Sequence, residues 1–533
     1  MGKGGNMKVL VSDSLSPQGV EILQKGKGIT VDVKTGLAPE ELRSIIGAYH
    51  GLVVRSATTV TADIIEAASN LKVIGRAGVG VDNIDVQAAT KRGIVVMNTP
   101  GGNSMAAAEH TIALMLAIAR NISQAAVSMW EKKWEKKRFT GVEVFGKTLG
   151  VVGLGNIGSI VAERGVGLKM NVIVYDPYIS ADLAAQKGID LVSLDDLFAR
   201  SDIITIHVPK SKETENLINA KAIDKMKDGV MIINCARGGI VDEKALAEAC
   251  SSGKLRAAAV DVFTQEPPPP ENPLLGVENI VCTPHLGAAT SEAQENVAIA
   301  IAHQIVAYLS EGTIINAVNV HSVDAQILAT LGPYLNLGQK MGGFFAQTCP
   351  FPLKELNIEY QGEVTSYGVA PISSAILVGV LKSYMDEHVN DVNAPFIAKE
   401  RGITFRESKM TEAADFTSLI TLSAKGGGAT HTVAGTLFGN KEPRLVMVNE
   451  YLVEAIPEGN ILLVDSLDKP GIIGNIGTVL GKKDINIGNM QFGRDKQGGK
   501  SLCILQIDTI PPADILEELK QLPHVNAVRL IQP

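Results

Sequence analysis

A chain of 533 residues is too long for one hydrophobic core and predicts three or four domains. Its 45% hydrophobic and 20% charged content is that of an ordinary soluble globular protein, and a net charge of −8 argues against a nucleic-acid partner. Five scattered cysteines (Cys235, Cys250, Cys282, Cys349 and Cys503) include no C-x-x-C pair, so no metal site or disulfide framework is expected and a reducing cytoplasm fits.

In chain order, residues 1–6 form a polar lead-in too short for a signal peptide. Apolar strands at 8–11, 29–33, 51–54, 72–75 and 94–97 then alternate with helices at 17–24, 39–46 and 62–68. Apolar runs without alternation predict a parallel sheet covered on both faces. The apolar helix at 105–119 carries Glu109 and His110 and is too short to span a bilayer, so no membrane role is expected. A second strand–helix set runs from 147 to 282, and two such units in series predict a cleft between them. The helix at 291–311 returns the chain, which predicts packing on the first unit and a discontinuous first domain. Residues 320–458 mix helices, strands and a glycine-rich turn at 425–428, with no nucleophile or metal constellation. A spacer or oligomerisation domain is the expectation there. The last segment orders strand 461–464, helix 470–480 opened by Pro470, strands 486–492 and 502–507, helix 513–522 and strand 525–531, a ferredoxin-like βαββαβ unit.

The most informative segment reads Leu149-Gly150-Val151-Val152-Gly153-Leu154-Gly155-Asn156-Ile157-Gly158, followed by Val172-Ile173-Val174-Tyr175-Asp176. This is strand, G-x-G-x-x-G turn, helix, and second strand ending in an acid. Gly153 suits the tight turn, Gly155 lets backbone approach a pyrophosphate, and Gly158 lets helix and strand pack closely. The helix N-terminus offers orphan N–H groups to phosphates. Asp176 is placed to accept from a ribose diol and would repel a 2′-phosphate, which favours NAD over NADP.

Three charged residues follow strands of this second unit, where open parallel sheets hold their ligands. Arg237 can clamp a carboxylate and polarise a neighbouring carbonyl. His285 can take the hydroxyl proton in a hydride-transfer oxidation, and Glu266 can fix its tautomer. Singly, each has an ordinary reading: a surface ion pair, a turn filler and a solvated charge.

Asn98-Thr99-Pro100-Gly101-Gly102-Asn103, the glycine fingerprint, Cys235-Ala236-Arg237-Gly238-Gly239 and Pro284-His285-Leu286-Gly287-Ala288 resemble the D-2-hydroxyacid dehydrogenase family, and within it the long-form D-3-phosphoglycerate dehydrogenases. The resemblance implies two doubly wound parallel-sheet domains, flavodoxin-like and Rossmann, then an α/β intervening domain and a ferredoxin-like ACT domain. Its domains would be substrate-binding (7–100 with 290–318), NAD-binding (101–289), intervening (319–458) and ACT (459–533). It implies Arg237, Glu266 and His285 as the catalytic set. NAD contacts would fall on Gly153, Gly155, Asn156, Ile157, Gly158, Asp176, Cys235, Ala236, Arg237, Asp261, His285, Gly287 and Ala288. Backbone N–H groups of Gly78, Val79 and Gly80 would wrap the substrate carboxylate, although Val79 stands where relatives often carry threonine.

Arg55 and Asn103 would face the substrate phosphate. The basic stretch 131–138, including Lys136, is either a solvated helix face or part of that phosphate site. Asp468 and Asn486 would hold an L-serine effector, or the ACT domain would only assemble subunits. The implied activity is oxidation of D-3-phosphoglycerate to 3-phosphohydroxypyruvate, opening L-serine synthesis, in a cytoplasmic homotetramer. Alternatives are another D-2-hydroxyacid dehydrogenase, acting on glycerate, glyoxylate or lactate, and a non-catalytic NAD sensor resembling the corepressors that reuse this fold.

Overall fold

The computed structural model describes residues 6–179, 189–320, 325–385, 388–412 and 415–533. Four sheets form among the described residues. In the first, Met7–Val11, Ile29–Val33, Gly51–Val54, Val73–Arg76 and Val95–Met97 run parallel, in spatial order second, first, third, fourth, fifth. This is the flavodoxin-like order. Such a sheet is apolar on both faces and needs cover on both. Part of that cover comes from far along the chain. Helix Ser291–Glu311 packs on helix Pro17–Lys25 and on strand Val73–Arg76, placing Val297, Ile301 and Ile305 in one core with Val9, Val53 and Val73.

The second sheet is also parallel, built from Thr148–Val152, Asn171–Tyr175, Asp190–Leu191, Ile203–Ile206, Val230–Asn234, Leu255–Val260 and Ile280–Cys282. Its spatial order is seventh, sixth, fifth, fourth, first, second, third, a Rossmann arrangement with one added strand. The order reverses beside Thr148–Val152, so a crevice opens at the carboxyl end of that strand. Helix Ser104–Arg120 covers one face, with Ala108, Met115 and Ile118 buried against Val151 and Ile233. Among the described residues no single helix is long and apolar enough to cross a membrane.

The third sheet is mixed. Glu355–Gly362 pairs parallel with Thr404–Met410 and antiparallel with Ser418–Gly426, and the meander continues through Ala429–Phe438, Glu442–Val448 and Tyr451–Ala455. The glycine-rich turn is the tight hairpin joining Ser418–Gly426 to Ala429–Phe438. The fourth sheet orders Ile487–Arg494, Lys500–Ile507, Asn460–Leu467 and Val525–Ile531, all antiparallel.

Strand alternation assigns the two faces of this last sheet. Leu462, Val464, Cys503 and Leu505 meet the unit's own helices, Ile472–Gly481 and Ala513–Lys520. Ile461, Leu463, Leu502 and Ile504 join the core of the preceding unit. Pro470 stands outside its helix rather than opening it, because Gly471 (φ +91) turns the chain just before Ile472.

Candidate active site

Strand Thr148–Val152 runs into the glycine loop, and helix Asn156–Gly167 begins at once, with Asn156 and Ile157 in its first turn. Gly153 takes φ +93 and donates its N–H to Tyr175 O at 2.8 Å. A Cβ on Gly158 would stand 2.0 Å from Gly153 O, whereas one on Gly155 would meet open space. Helix and strand are therefore in close contact, with a clear path above the helix N-terminus. Asp176 accepts from Leu154 N (2.8 Å) and Tyr178 N (2.9 Å), which fixes its carboxylate beside the loop with lone pairs to spare. These features fit a dinucleotide whose phosphates lie on the helix end and whose ribose meets Asp176.

The loop after Ile280–Cys282 is organised by Asp261, which is fully buried. Its side chain accepts from Thr283 Oγ1 (2.6 Å), Leu286 N (2.7 Å) and Gly287 N (2.8 Å), and His110 Nε2 lies 3.2 Å away. Burial alone would push this carboxyl up. The hydrogen bonds outweigh burial and hold it below its ordinary value. Asp261 O also accepts from His285 N at 2.9 Å. The loop is thereby fixed with His285 in the left-handed region, at φ +55. His285 Nδ1 meets Glu266 Oε2 at 2.7 Å, and Glu266 Oε1 accepts from Phe263 N at 3.0 Å. The Glu266 contact raises the imidazole above its usual value, against partial burial. Nε2 is left for a substrate.

Arg237 follows strand Val230–Asn234 on a turn held by the buried Asn234 amide, which accepts from Ala236 N and donates to Arg237 O, both at 3.0 Å. The guanidinium crosses the cleft to Asp82 Oδ2 at 3.1 Å. Gly80 leaves room for that crossing, since a Cβ there would lie 2.2 Å from an Arg237 nitrogen. Burial pushes the neighbouring Cys235 thiol up to about 12, so it stays protonated and is no nucleophile.

A cavity of about 510 Å³ lies between the two units, lined among others by Arg55, Arg76, Asn103, Glu266, His285 and Ala288. Arg55 is positioned by the buried Asp13, which accepts from Arg55 N at 2.5 Å, while its Nη1 donates to Ser14 O at 3.1 Å. Arg76 Nε and Asn103 Oδ1 are buried with no partner among the described residues. Burial and the nearby Arg237 charge depress the Arg76 guanidinium, which nonetheless stays charged. An unsatisfied buried donor and acceptor on residues that line one cavity suit a polar ligand.

Several expected residues stand elsewhere. Gly78 lines the cavity, and its N–H goes to Arg76 O at 2.8 Å, a local bond that a substrate carboxylate would have to displace. Val79 O accepts from Asn98 Nδ2 at 2.5 Å. Arg237 is turned toward Asp82 and is not part of the cavity wall. Lys136 is exposed beyond helix Ile122–Trp130 and outside the cavity, in a stretch where Lys133 pairs with Glu131 and Arg138 with Glu135 and Glu278. On the C-terminal unit, Asp468 accepts from Arg494 and Gly498 N, and Asn486 donates to Asp508. Arg76, Asp82, His110 and Thr283 belong to the site's framework without having been singled out for it. Arg76 and Asp82 close the loop around Gly78–Gly80 that the resemblance assigns to the substrate, Thr283 precedes the Pro284-His285 turn, and His110 stands out as a polar residue in an apolar helix.

Comparison with known proteins agrees with this layout. Residues 112–287 match the D-isomer specific 2-hydroxyacid dehydrogenase NAD-binding domain, 330–449 the D-3-phosphoglycerate dehydrogenase intervening domain, and 460–524 the ACT domain. A D-3-phosphoglycerate dehydrogenase of Archaeoglobus fulgidus is 46% identical over 97% of this chain and 98% of its own. The one from Bacillus subtilis is 38% identical over 98% and 99%. A crystal structure of D-lactate dehydrogenase from Aquifex aeolicus with NAD and lactic acid superposes at TM-score 0.52, with 28% identity over 59% of this chain and all of the other. The chain belongs to the D-3-phosphoglycerate dehydrogenase family, the long branch of the NAD-dependent D-2-hydroxyacid dehydrogenases.

Proposed function

We propose that the chain oxidises D-3-phosphoglycerate to 3-phosphohydroxypyruvate, with reduction of NAD, as the first step of L-serine synthesis. The observation that carries this reading is a cleft with cations for both ends of the substrate. Arg237 stands near the His285–Glu266 pair, while Arg55 and the unpartnered Nε of Arg76 line the cavity. A carboxylate and a phosphate on one small molecule would each meet a guanidinium.

NAD, when bound, accepts the hydride from substrate C2. His285 takes the hydroxyl proton on Nε2, and Glu266 keeps the other ring proton on Nδ1, so that the neutral base has the correct tautomer. The same carboxylate stabilises the imidazolium that results. Arg237 exchanges Asp82 for the substrate carboxylate and steadies the developing carbonyl oxygen. Asp261 holds the His285 loop against the cofactor side of the cleft.

NADH formation with D-3-phosphoglycerate, D-glycerate and D-lactate, in the presence of a ketoacid trap, tests the assignment. Selective turnover of the phosphorylated acid is expected. Turnover of the unphosphorylated acids alone would make the chain another D-2-hydroxyacid dehydrogenase. Silence on all three with NAD bound would make it a sensor. We also infer the four-domain division given above, a cytoplasmic homotetramer, and L-serine acting through Asp468 and Asn486. The ACT match over residues 460–524 supports the last of these.

A further inference from the structure

A second cavity, of about 220 Å³, lies between the two C-terminal units, far along the chain from the catalytic residues. The third sheet's unit contributes Thr348, His431 and Asn449, and the last sheet contributes Asp465, Ala527 and Arg529. Its size suits a small organic molecule, since a cavity of roughly 150 Å³ admits benzene.

The charges in it are unusual. Asp465 stands opposite Ala527, and Arg529 opposite Leu463, on paired antiparallel strands. The two charged residues are therefore diagonal neighbours on one sheet face, within reach of each other for long side chains. They do not pair. Asp465 Oδ1 accepts from Asn526 Nδ2 at 2.9 Å, and Arg529 Nη1 donates to Thr348 O at 2.9 Å. Each is steered by a different neighbour, which leaves a carboxylate oxygen and guanidinium N–H groups on the same cavity.

The imidazole on this cavity is neutral. His431 bridges Asn449 Oδ1 (3.0 Å) and Thr348 Oγ1 (2.9 Å), and burial brings its imidazole down to about 4. Because Asn449 Oδ1 also accepts from Thr432 N, the ring donates through Nδ1. A lone anion or a lone cation would leave one cavity charge uncompensated. A molecule bearing both charges would satisfy Arg529 and Asp465 together. Arg529 is solvent-exposed and gives the cavity a route to water.

We propose that this junction binds a small zwitterion, a free α-amino acid, with its carboxylate on Arg529 and its ammonium on Asp465. The site is separate from Asp468 and Asn486, whose partners are Arg494, Gly498 and Asp508.

Calorimetric titration of the full chain with glycine, L-alanine and L-serine, beside acetate and methylammonium, tests it. At least one zwitterion should bind once per chain, while acetate and methylammonium should not. Asp465→Asn and Arg529→Gln should each weaken binding at least tenfold. Ala527→Leu, which fills the cavity without touching a charge, should abolish it in a chain whose thermal melt shows it folded. Asp468→Asn and Asn486→Ala should leave this binding in place. The proposal is overturned if no zwitterion binds, if binding survives the Asp465, Arg529 and Ala527 changes, or if acetate binds as well as glycine. Binding is read without turnover, so a failed catalytic assay has no bearing on it.

Discussion

The molecule has two kinds of junction between neighbouring units. The first two units face each other across a cavity of about 510 Å³, and outside its wall Arg237 reaches across the cleft to Asp82, both partly solvated. The last two meet through a shared apolar core in which Ile461 and Ile504 pack with Phe344, Leu422 and Val433. A solvated ion pair contributes at most about 1 kcal/mol, whereas burying one Leu or Ile contributes roughly 1.5–3 kcal/mol. The first junction can therefore open and close around a ligand, and the second should move as one body.

The contrast predicts that changes at the first junction alter turnover with little effect on melting, and that changes at the second do the reverse. His285→Asn should lower kcat by about 10²–10⁴-fold, the usual share of a general base, with NAD affinity kept; binding titrations beside steady-state kinetics separate the two. Ile461→Ala, in the apolar core of the second junction, should cost about 2–5 kcal/mol in urea unfolding and leave kcat per folded chain unchanged. A selective loss of kcat there would dissolve the distinction.

Glu266→Gln is a pH experiment. The carboxylate raises the His285 imidazole, and alcohol oxidation needs that imidazole neutral, so activity should rise with pH through its raised value. Removing the anion disfavours imidazolium and should shift the inflection toward acid, together with a lower plateau. An unmoved inflection would mean that His285 is not the titrating base. The smallest effect is expected of Asp82→Asn, a change of under about 1 kcal/mol in stability with a modest gain in substrate affinity, because Arg237 is released.

The parallel sheets, the glycine fingerprint and the ferredoxin-like tail were legible because each is written locally, in strand periods, a short motif and turn residues. So was the pairing of His285 with Glu266, which lie in neighbouring strand-end loops. The buried hub was not. Asp261 meets His110 across 151 residues, and Arg237 meets Asp82 across 155. No spacing rule encodes such approaches: the first exists only once the helix at Ser104–Arg120 lies against the second sheet, and the second only once the two units face each other across the cleft. The partner of Gly78 N–H was not legible either. A tight turn returned that N–H to Arg76 O, a local hydrogen bond that competes with any ligand. The mixed third sheet was also out of reach, since its parallel strands 355–362 and 404–410 are joined through intervening helices.

The left-handed backbone at His285 carries an evolutionary consequence. A side chain at φ +55 is held there at a conformational cost that glycine would escape. Any screen that rewards only thermal resistance should therefore drift toward glycine or asparagine at position 285 and discard the proton acceptor in doing so. Improvement of this scaffold by stability alone would select its own inactivation, so selection has to be coupled to turnover from the first round.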